Sequence, residues 1–226
     1  MTNKTDKQTT ILFDLDGTLI DSTEAILKCF DDSFKHFNLP TPSDDKITSL
    51  IGHPLDHMYE SLGVDSSQVW DFVDVYKTHY RKRSKPMTKL LPNAVEAVKE
   101  ASEFARLGVV TTKTAEYSRI LLEHMGIMDY FEVLIGREDV HNPKPHPEPI
   151  LKAMKLMNVT KSNNVWMIGD TCLDLLSAKA AGIRSVGVLS GYGTRTELES
   201  CSSEVLQNET LLAIKHIINS NKADIK

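Results

Sequence analysis

The chain has 226 residues, 41% of them apolar and 25% charged, with a formal net charge of −5. That is enough for one large domain, or one carrying a smaller one, around an ordinary packed core. The acidic balance argues against nucleic acid or an anionic membrane as the main partner. An anionic small substrate would need a local cluster of positive groups.

The first ten residues, "MTNKTDKQTT", are polar and carry no apolar signal core. No run approaches the roughly 20 apolar residues of a membrane span. A cytoplasmic protein is expected. Cys29, Cys172 and Cys201 are far apart, odd in number and form no CxxC pair, so neither a disulfide scaffold nor a structural zinc site is expected.

In chain order, "ILF" (11–13) is the first buried strand and runs directly into "DLDGT" (14–18). The next stretch contains only helical patterns. "DSTEAILKCFDDSFKHF" opens with Asp21 and Glu24 in capping-box spacing, and then Ile26, Leu27, Phe30, Phe34 and Phe37 recur at helical intervals. "VWDFVDVYKTHY" repeats the pattern with Val69, Phe72, Val73, Tyr76 and Tyr80. Residues 20–88 therefore read as a helical insert. "PNAVEAVKEASEFARLG" follows as a helix with Pro92 near its start and Gly108 at its end. The runs "GVVTT" (108–112), "EVLIG" (132–136), "VWMIG" (165–169) and "SVGVL" (185–189) are continuous rather than alternating, as parallel strands covered on both faces should be. Helical patterns separate them, and one more ends the chain. The alternation implies an α/β fold: a doubly wound parallel-sheet (Rossmann-like) core of residues 1–19 and 89–226, with a small α-helical cap of residues 20–88.

Chemistry gathers where strands end, because open α/β sheets bind ligands outside the carboxyl ends of their strands. Asp14 and Asp16 are two residues apart, so in extended chain both side chains point the same way, and Gly17 permits a sharp turn. An acidic turn is the plain alternative. A calcium loop fails on spacing, since the sixth and twelfth positions are Leu19 and Ala25. "GDTCLD" (169–174) brings Asp170 past the fourth strand, with Asp174 one helical turn on. Asp170 or Thr171 could simply cap that helix, but a cap does not account for a second acid on the same face. Acids from two strands call for a hard cation, Mg²⁺ above all. Phosphate chemistry then needs positive charge and donors. Lys144, between two prolines in "NPKPHPEP", sits on a stiff loop, and Thr111 adds a hydroxyl at the second strand end.

These four segments, in this order, resemble the haloacid dehalogenase superfamily. "DLDGT" is similar to its first motif, Thr111 in "VVTTK" to its second, Lys144 to its third and "GDTCLD" to its fourth, across about residues 11–190. "FDLDGTLIDS", "IGHPL", the "TTK" stretch and "KPHPEP" look most like the phosphoglycolate phosphatase group, with Thr112 a departure from the asparagine usual there. The resemblance implies Asp14 as nucleophile and Asp16 as general acid and base. It implies Mg²⁺ held by the side chains of Asp14 and Asp170 and the carbonyl of Asp16, with Asp174 ordering metal-bound water. Thr111 and Lys144 would bind the transferring phosphoryl group. In this reading Mg²⁺ and Lys144 offset the charge of the two paired acids. Gly52 and His53 would face the substrate from the cap; a zinc pair of His53 and His57 lacks further ligands nearby.

The expected activity is Mg²⁺-dependent hydrolysis of a small phosphomonoester, 2-phosphoglycolate first, by a monomer or homodimer. A pyrophosphatase or nucleotidase, a phosphosugar mutase and a non-catalytic phospho-ligand binding module remain alternatives. Loop 190–198, "SGYGTRTEL", has no assigned task.

Overall fold

The computed structural model describes residues 7–160, 164–201 and 205–223. Most of the N-terminal stretch read above as signal-free, and the end of the polar C-terminal tail, lie outside these residues. In chain order, β1 (Thr9–Phe13) and β2 (Ile20–Asp21) lead into α1 (Thr23–His36), α2 (Asp44–Thr48), α3 (Leu55–Ser61) and α4 (Val69–Arg83). β3 (Lys89–Leu90), α5 (Ala94–Phe104), β4 (Ala105–Val110), α6 (Ala115–His124) and β5 (Phe131–Ile135) follow. Then come α7 (Glu148–Leu156), β6 (Val165–Gly169), α8 (Cys172–Ala181), β7 (Arg184–Val188), α9 (Arg195–Ser200), β8 (Leu206–Gln207) and α10 (Thr210–Ala223).

Six strands form one parallel sheet in the order β5-β4-β1-β6-β7-β8. The chain moves outward from β1 to β4 and β5, then returns to β6 on the other side of β1. This is the doubly wound α/β architecture expected, and it makes β1 the switch point where ligands bind. β1 is wholly buried between two apolar layers. Ile11 and Phe13 join one core cluster with Ala97, Val98, Leu121 and Ile214. Leu12 joins the other with Ile150, Met154 and Met167. Continuous apolar strands exist here because helices cover both faces.

α1 to α4 carry a core of their own, in which Phe30, Phe34, Phe72, Tyr76 and Tyr80 pack at the intervals the sequence showed, joined by Tyr59 of α3. The chain enters and leaves these helices through a two-stranded antiparallel pair, Ile20 with Leu90 and Asp21 with Lys89. Two-residue strands give no periodic signal, so β2, β3 and β8 are not legible in the sequence.

Three local expectations change. The helix read through to Gly108 ends at Phe104, because Ala105–Val109 pair with Thr9–Phe13 of β1. Gly108 is a strand residue, needed because a Cβ there would lie 2.8 Å from Val133 and 2.9 Å from Leu12. Asp21 does not cap α1; its carboxylate accepts from the Thr23 N–H and hydroxyl, and Ser22 is the residue at the cap position. Finally, Cys172 and Cys201 form a disulfide, with Cα atoms 5.5 Å apart, against the expectation of none. Sequence distance concealed it: α8 and α9 are brought together by packing at the end of β7.

The cross-link closes a loop of sequence separation 29. Loop-closure entropy for that length corresponds to about 3.5 kcal/mol. Cys201→Ser, or reduction with a thiol, is therefore expected to lower the melting temperature by several degrees. Thermal denaturation with and without reductant checks this.

Candidate active site

The site is built at the carboxyl ends of β1, β4 and β6. The Asp14 N–H donates to the Ile168 carbonyl at 2.9 Å, which extends the β1–β6 ladder and places Asp14 beside the Gly169–Asp170 turn. Gly17 (φ +79°) then reverses the chain over Asp170; a Cβ on it would stand 2.2 Å from that carboxylate. Asp14, Asp170 and Asp174 each bring a carboxylate oxygen within 4.8 Å of the others, and all three are buried. Among the described residues no other such group of acids, histidines and cysteines occurs; His53 and His57 lie side by side with ring centroids 4.7 Å apart and planes tilted by 35°.

Lys144 is buried at the centre of this cluster. Its Nζ lies 2.9 Å from Asp14 Oδ1 and 2.5 Å from Asp174 Oδ1, and donates to the Val110 carbonyl at 3.1 Å. Burial alone would depress its pKa, but Asp14 and Asp174 hold it above the ordinary lysine value. Asp174 has a second task. Its Oδ2 accepts from the Thr171 N–H and hydroxyl, closing a capping box at the start of α8. A helix cap thus accounts for part of the second acid, contrary to the sequence argument.

The two acids of "DLDGT" have different partners. Asp14 faces Lys144, whereas Asp16 accepts from Lys113 Nζ at 2.9 and 3.1 Å and from the Ser22 hydroxyl. The expectation that Lys144 and Mg²⁺ offset both acids is corrected accordingly: Lys113 is the cation of Asp16. Its Nζ also lies 4.8 Å from the centre of the Tyr80 ring on α4. Burial would lower the Lys113 pKa, but Asp16 and Tyr80 raise it, keeping the ammonium charged. Lys113 was visible in sequence only as part of "TTK"; nothing there tied it to Asp16. Thr111 is buried at the end of β4, where its hydroxyl oxygen accepts from the Lys113 N–H at 3.2 Å.

Loop 190–198, without a task in the sequence, closes the corner behind Asp170. The Tyr192 N–H donates to Asp170 Oδ2 at 2.9 Å, the Gly193 N–H to the Asp170 carbonyl at 3.1 Å, and Thr18 to Asp170 Oδ1 at 2.9 Å. Gly52 touches the core directly. Its carbonyl accepts from the Thr112 hydroxyl at 2.7 Å. The departure at Thr112 therefore joins the second-strand loop to the loop carrying Gly52 and His53. Burial, then the neighbouring His57, lowers the pKa of His53. One cavity of about 220 Å³ opens over Asp14, Asp16, Thr111 and Lys113 and continues between α3 and α4, with Gly52 and His53 in its wall.

The donor set fits a divalent cation. Four carboxylates, Asp14, Asp16, Asp170 and Asp174, face two ammonium groups, Lys113 and Lys144. The deficit is two positive charges in a site of hard oxygen donors. Burial, with the charge of Asp174 added, pushes the Asp14 carboxyl up to about 7; burial and then Asp14 push Asp170 up as well.

This arrangement belongs to a class of proteins. Residues 11–188 match the family model described as haloacid dehalogenase-like hydrolase, and the chain belongs to that family. A pyrophosphatase PpaX from Halalkalibacterium halodurans is 33% identical over 83% of this chain and 86% of its own. A phosphoglycolate phosphatase from Colwellia psychrerythraea is 31% identical over 94% of this chain and 99% of its own. The solved structure of a haloacid dehalogenase-like hydrolase from Streptococcus pneumoniae superposes with a TM-score of 0.83 at 26% identity, covering 92% of this chain and 97% of that one. Phosphatase relatives and the fold agree in making the chain an enzyme of phosphoric ester hydrolysis. No helix among the described residues is long and apolar enough to cross a membrane.

An acid whose pKa is raised on folding stabilises the folded state while it is protonated, and that contribution is lost as pH rises through the folded value. For Asp14 the window runs from about 4 to about 7. The metal-free protein is expected to lose stability across it, and Mg²⁺ to raise the melting temperature more at pH 8 than at pH 5. Melting curves in EDTA and in Mg²⁺ at the two pH values check this; equal shifts would contradict it.

Proposed function

We propose that the protein is a Mg²⁺-dependent phosphatase of a small phosphomonoester, with 2-phosphoglycolate the foremost substrate. Residues 20–88 act as a cap over the core of residues 1–19 and 89–226. The observation that carries this reading is the buried Asp14 carboxylate, 2.9 Å from Lys144, at the floor of the cavity that Asp16 also lines.

Asp14 attacks phosphorus in line with the ester oxygen. The P–O bond to the alcohol breaks, an aspartyl-phosphate forms, and Asp16, having taken up a proton in the substrate complex, gives it to the departing oxygen. Asp16 then takes a proton from water, which attacks the phosphorus of the aspartyl-phosphate and frees Asp14 and phosphate. Lys144 and Thr111 bind the equatorial oxygens, where charge accumulates in the transition state. The Asp14 and Asp170 side chains and the Asp16 carbonyl would hold Mg²⁺, which supplies charge neutralisation for the incoming phosphoryl group. Asp174 fixes Lys144 and the start of α8. Lys113 keeps Asp16 oriented, and the contact between Thr112 and Gly52 keeps the cap loop over the cavity, excluding water.

The phosphoglycolate phosphatase relative supports the substrate, and the pyrophosphatase relative supports the same chemistry with phosphate as leaving group. Phosphate release from 2-phosphoglycolate, pyrophosphate, sugar phosphates and nucleotides, in Mg²⁺ and in EDTA, separates the alternatives. Metal-dependent turnover is expected. Asp14→Asn should remove it almost entirely, and Asp16→Asn should reduce it by about 10²- to 10⁴-fold. Retained turnover in Asp14→Asn would refute the nucleophile assignment.

A further inference from the structure

The cavity over the catalytic acids extends well beyond the reach of a two-carbon leaving group. Trp70, Val73, Lys77 and Tyr80 all line it, at i, i+3, i+7 and i+10, so they form one stripe along α4. The stripe begins where the Tyr80 ring meets Lys113, itself in contact with Asp16. It ends ten residues away, about 15 Å along the helix axis. A glycolate group spans only three bonds of about 1.2–1.5 Å beyond its ester oxygen.

Beyond the acids the wall mixes apolar and charged groups: Leu55 of α3, Val73 of α4 and Tyr117 of α6 line it together with Glu138 and the mutually paired Asp56 and Arg137. Lys77 has no ion-pair partner among the described residues, so its ammonium can stay in water while its four-carbon stem lines the wall. Trp70, which lines the cavity, is 60% exposed, the most exposed of the large apolar side chains among the described residues. An indole left in water beside a catalytic cleft offers a flat apolar surface for a ring to cover. At about 220 Å³ the cavity is smaller than the roughly 300–1,000 Å³ of drug-sized sites, which limits the occupant to a phosphoryl group and one small ring.

We propose that, besides small esters such as 2-phosphoglycolate, the site accepts phosphomonoesters whose alcohol carries one planar ring, and that Trp70 is the residue that favours the ring. The proposal rests on the phosphatase reading above and adds a second leaving-group class to the one named there.

The test compares 2-phenylethyl phosphate with ethyl phosphate, which share a primary alkoxide leaving group and differ by the ring. At least a tenfold higher kcat/KM for the phenyl ester is expected, arising in KM. Trp70→Ala should abolish most of that preference and Trp70→Phe should keep it. Equal kcat/KM for the two esters, or an undiminished preference in Trp70→Ala, would overturn the proposal. So would a changed sedimentation coefficient in Trp70→Ala with the ester ratio intact, which would make Trp70 a contact between two copies of the chain. Binding of 2-phenylethylphosphonate and ethylphosphonate, followed by tryptophan fluorescence in Mg²⁺, separates the two failures. No turnover of any ester refutes the phosphatase reading. A quench by the phenyl ligand alone, lost in Trp70→Ala, still sustains ring selection, and its absence refutes it.

Discussion

The structure depends on keeping four carboxylates together away from bulk water. At the distances within the Asp14, Asp170 and Asp174 group, like charges repel strongly in a low-dielectric interior, and burial opposes ionisation of each. The fold answers with two lysines in fixed places and a geometry suited to one divalent cation. Three of the acids are also held by short-range donors: Thr18 and the Tyr192 N–H on Asp170, Thr171 on Asp174, Ser22 on Asp16. These contacts prevent the carboxylates from swinging apart to relieve their repulsion, so the site is preorganised for an incoming cation and phosphoryl group.

The sheet makes this arrangement possible. Parallel strands end on one edge, and the residue after each strand is delivered to that edge without regard to sequence distance. Asp14 and Asp170 are separated by 156 positions in the chain numbering but follow neighbouring strands. Apolar residues on both sides of β1 and β6 fix those strands rigidly, and the catalytic acids take their precision from that packing.

The helices of residues 23–83 are coupled to the acids more directly than a separate lid would be. Lys113 lies between Asp16 and Tyr80, and Thr112 holds the Gly52 carbonyl. Movement of α4 or of the Gly52 loop therefore disturbs the partner of Asp16 as well as the walls of the cavity. The Cys172–Cys201 bond anchors the start of α8, beside Asp170 and Thr171, to the end of α9. It braces the loop that donates to Asp170.

By itself the sequence determined the five longer strands of the main sheet, the helical stretch between the first two of them, the acids at strand ends and the lysine of the proline-flanked loop. Continuous apolar runs have one stable use in such a chain, and "DLDGT", "NPKPHPEP" and "GDTCLD" place charge where burial would otherwise forbid it. Phe30, Phe34, Phe72 and Tyr76 announced their shared core by helical spacing alone. Where α5 stops was decided elsewhere, because pairing with β1 overrode a helical pattern in Ala105–Gly108. The pairing of Cys172 with Cys201, the assignment of Lys113 to Asp16 and the closure of the 190–198 loop over Asp170 were likewise settled by tertiary structure. Each joins residues whose local sequence carries no signal for the other. Their contacts exist only because the sheet order and helix packing bring remote segments within hydrogen-bonding or bonding distance.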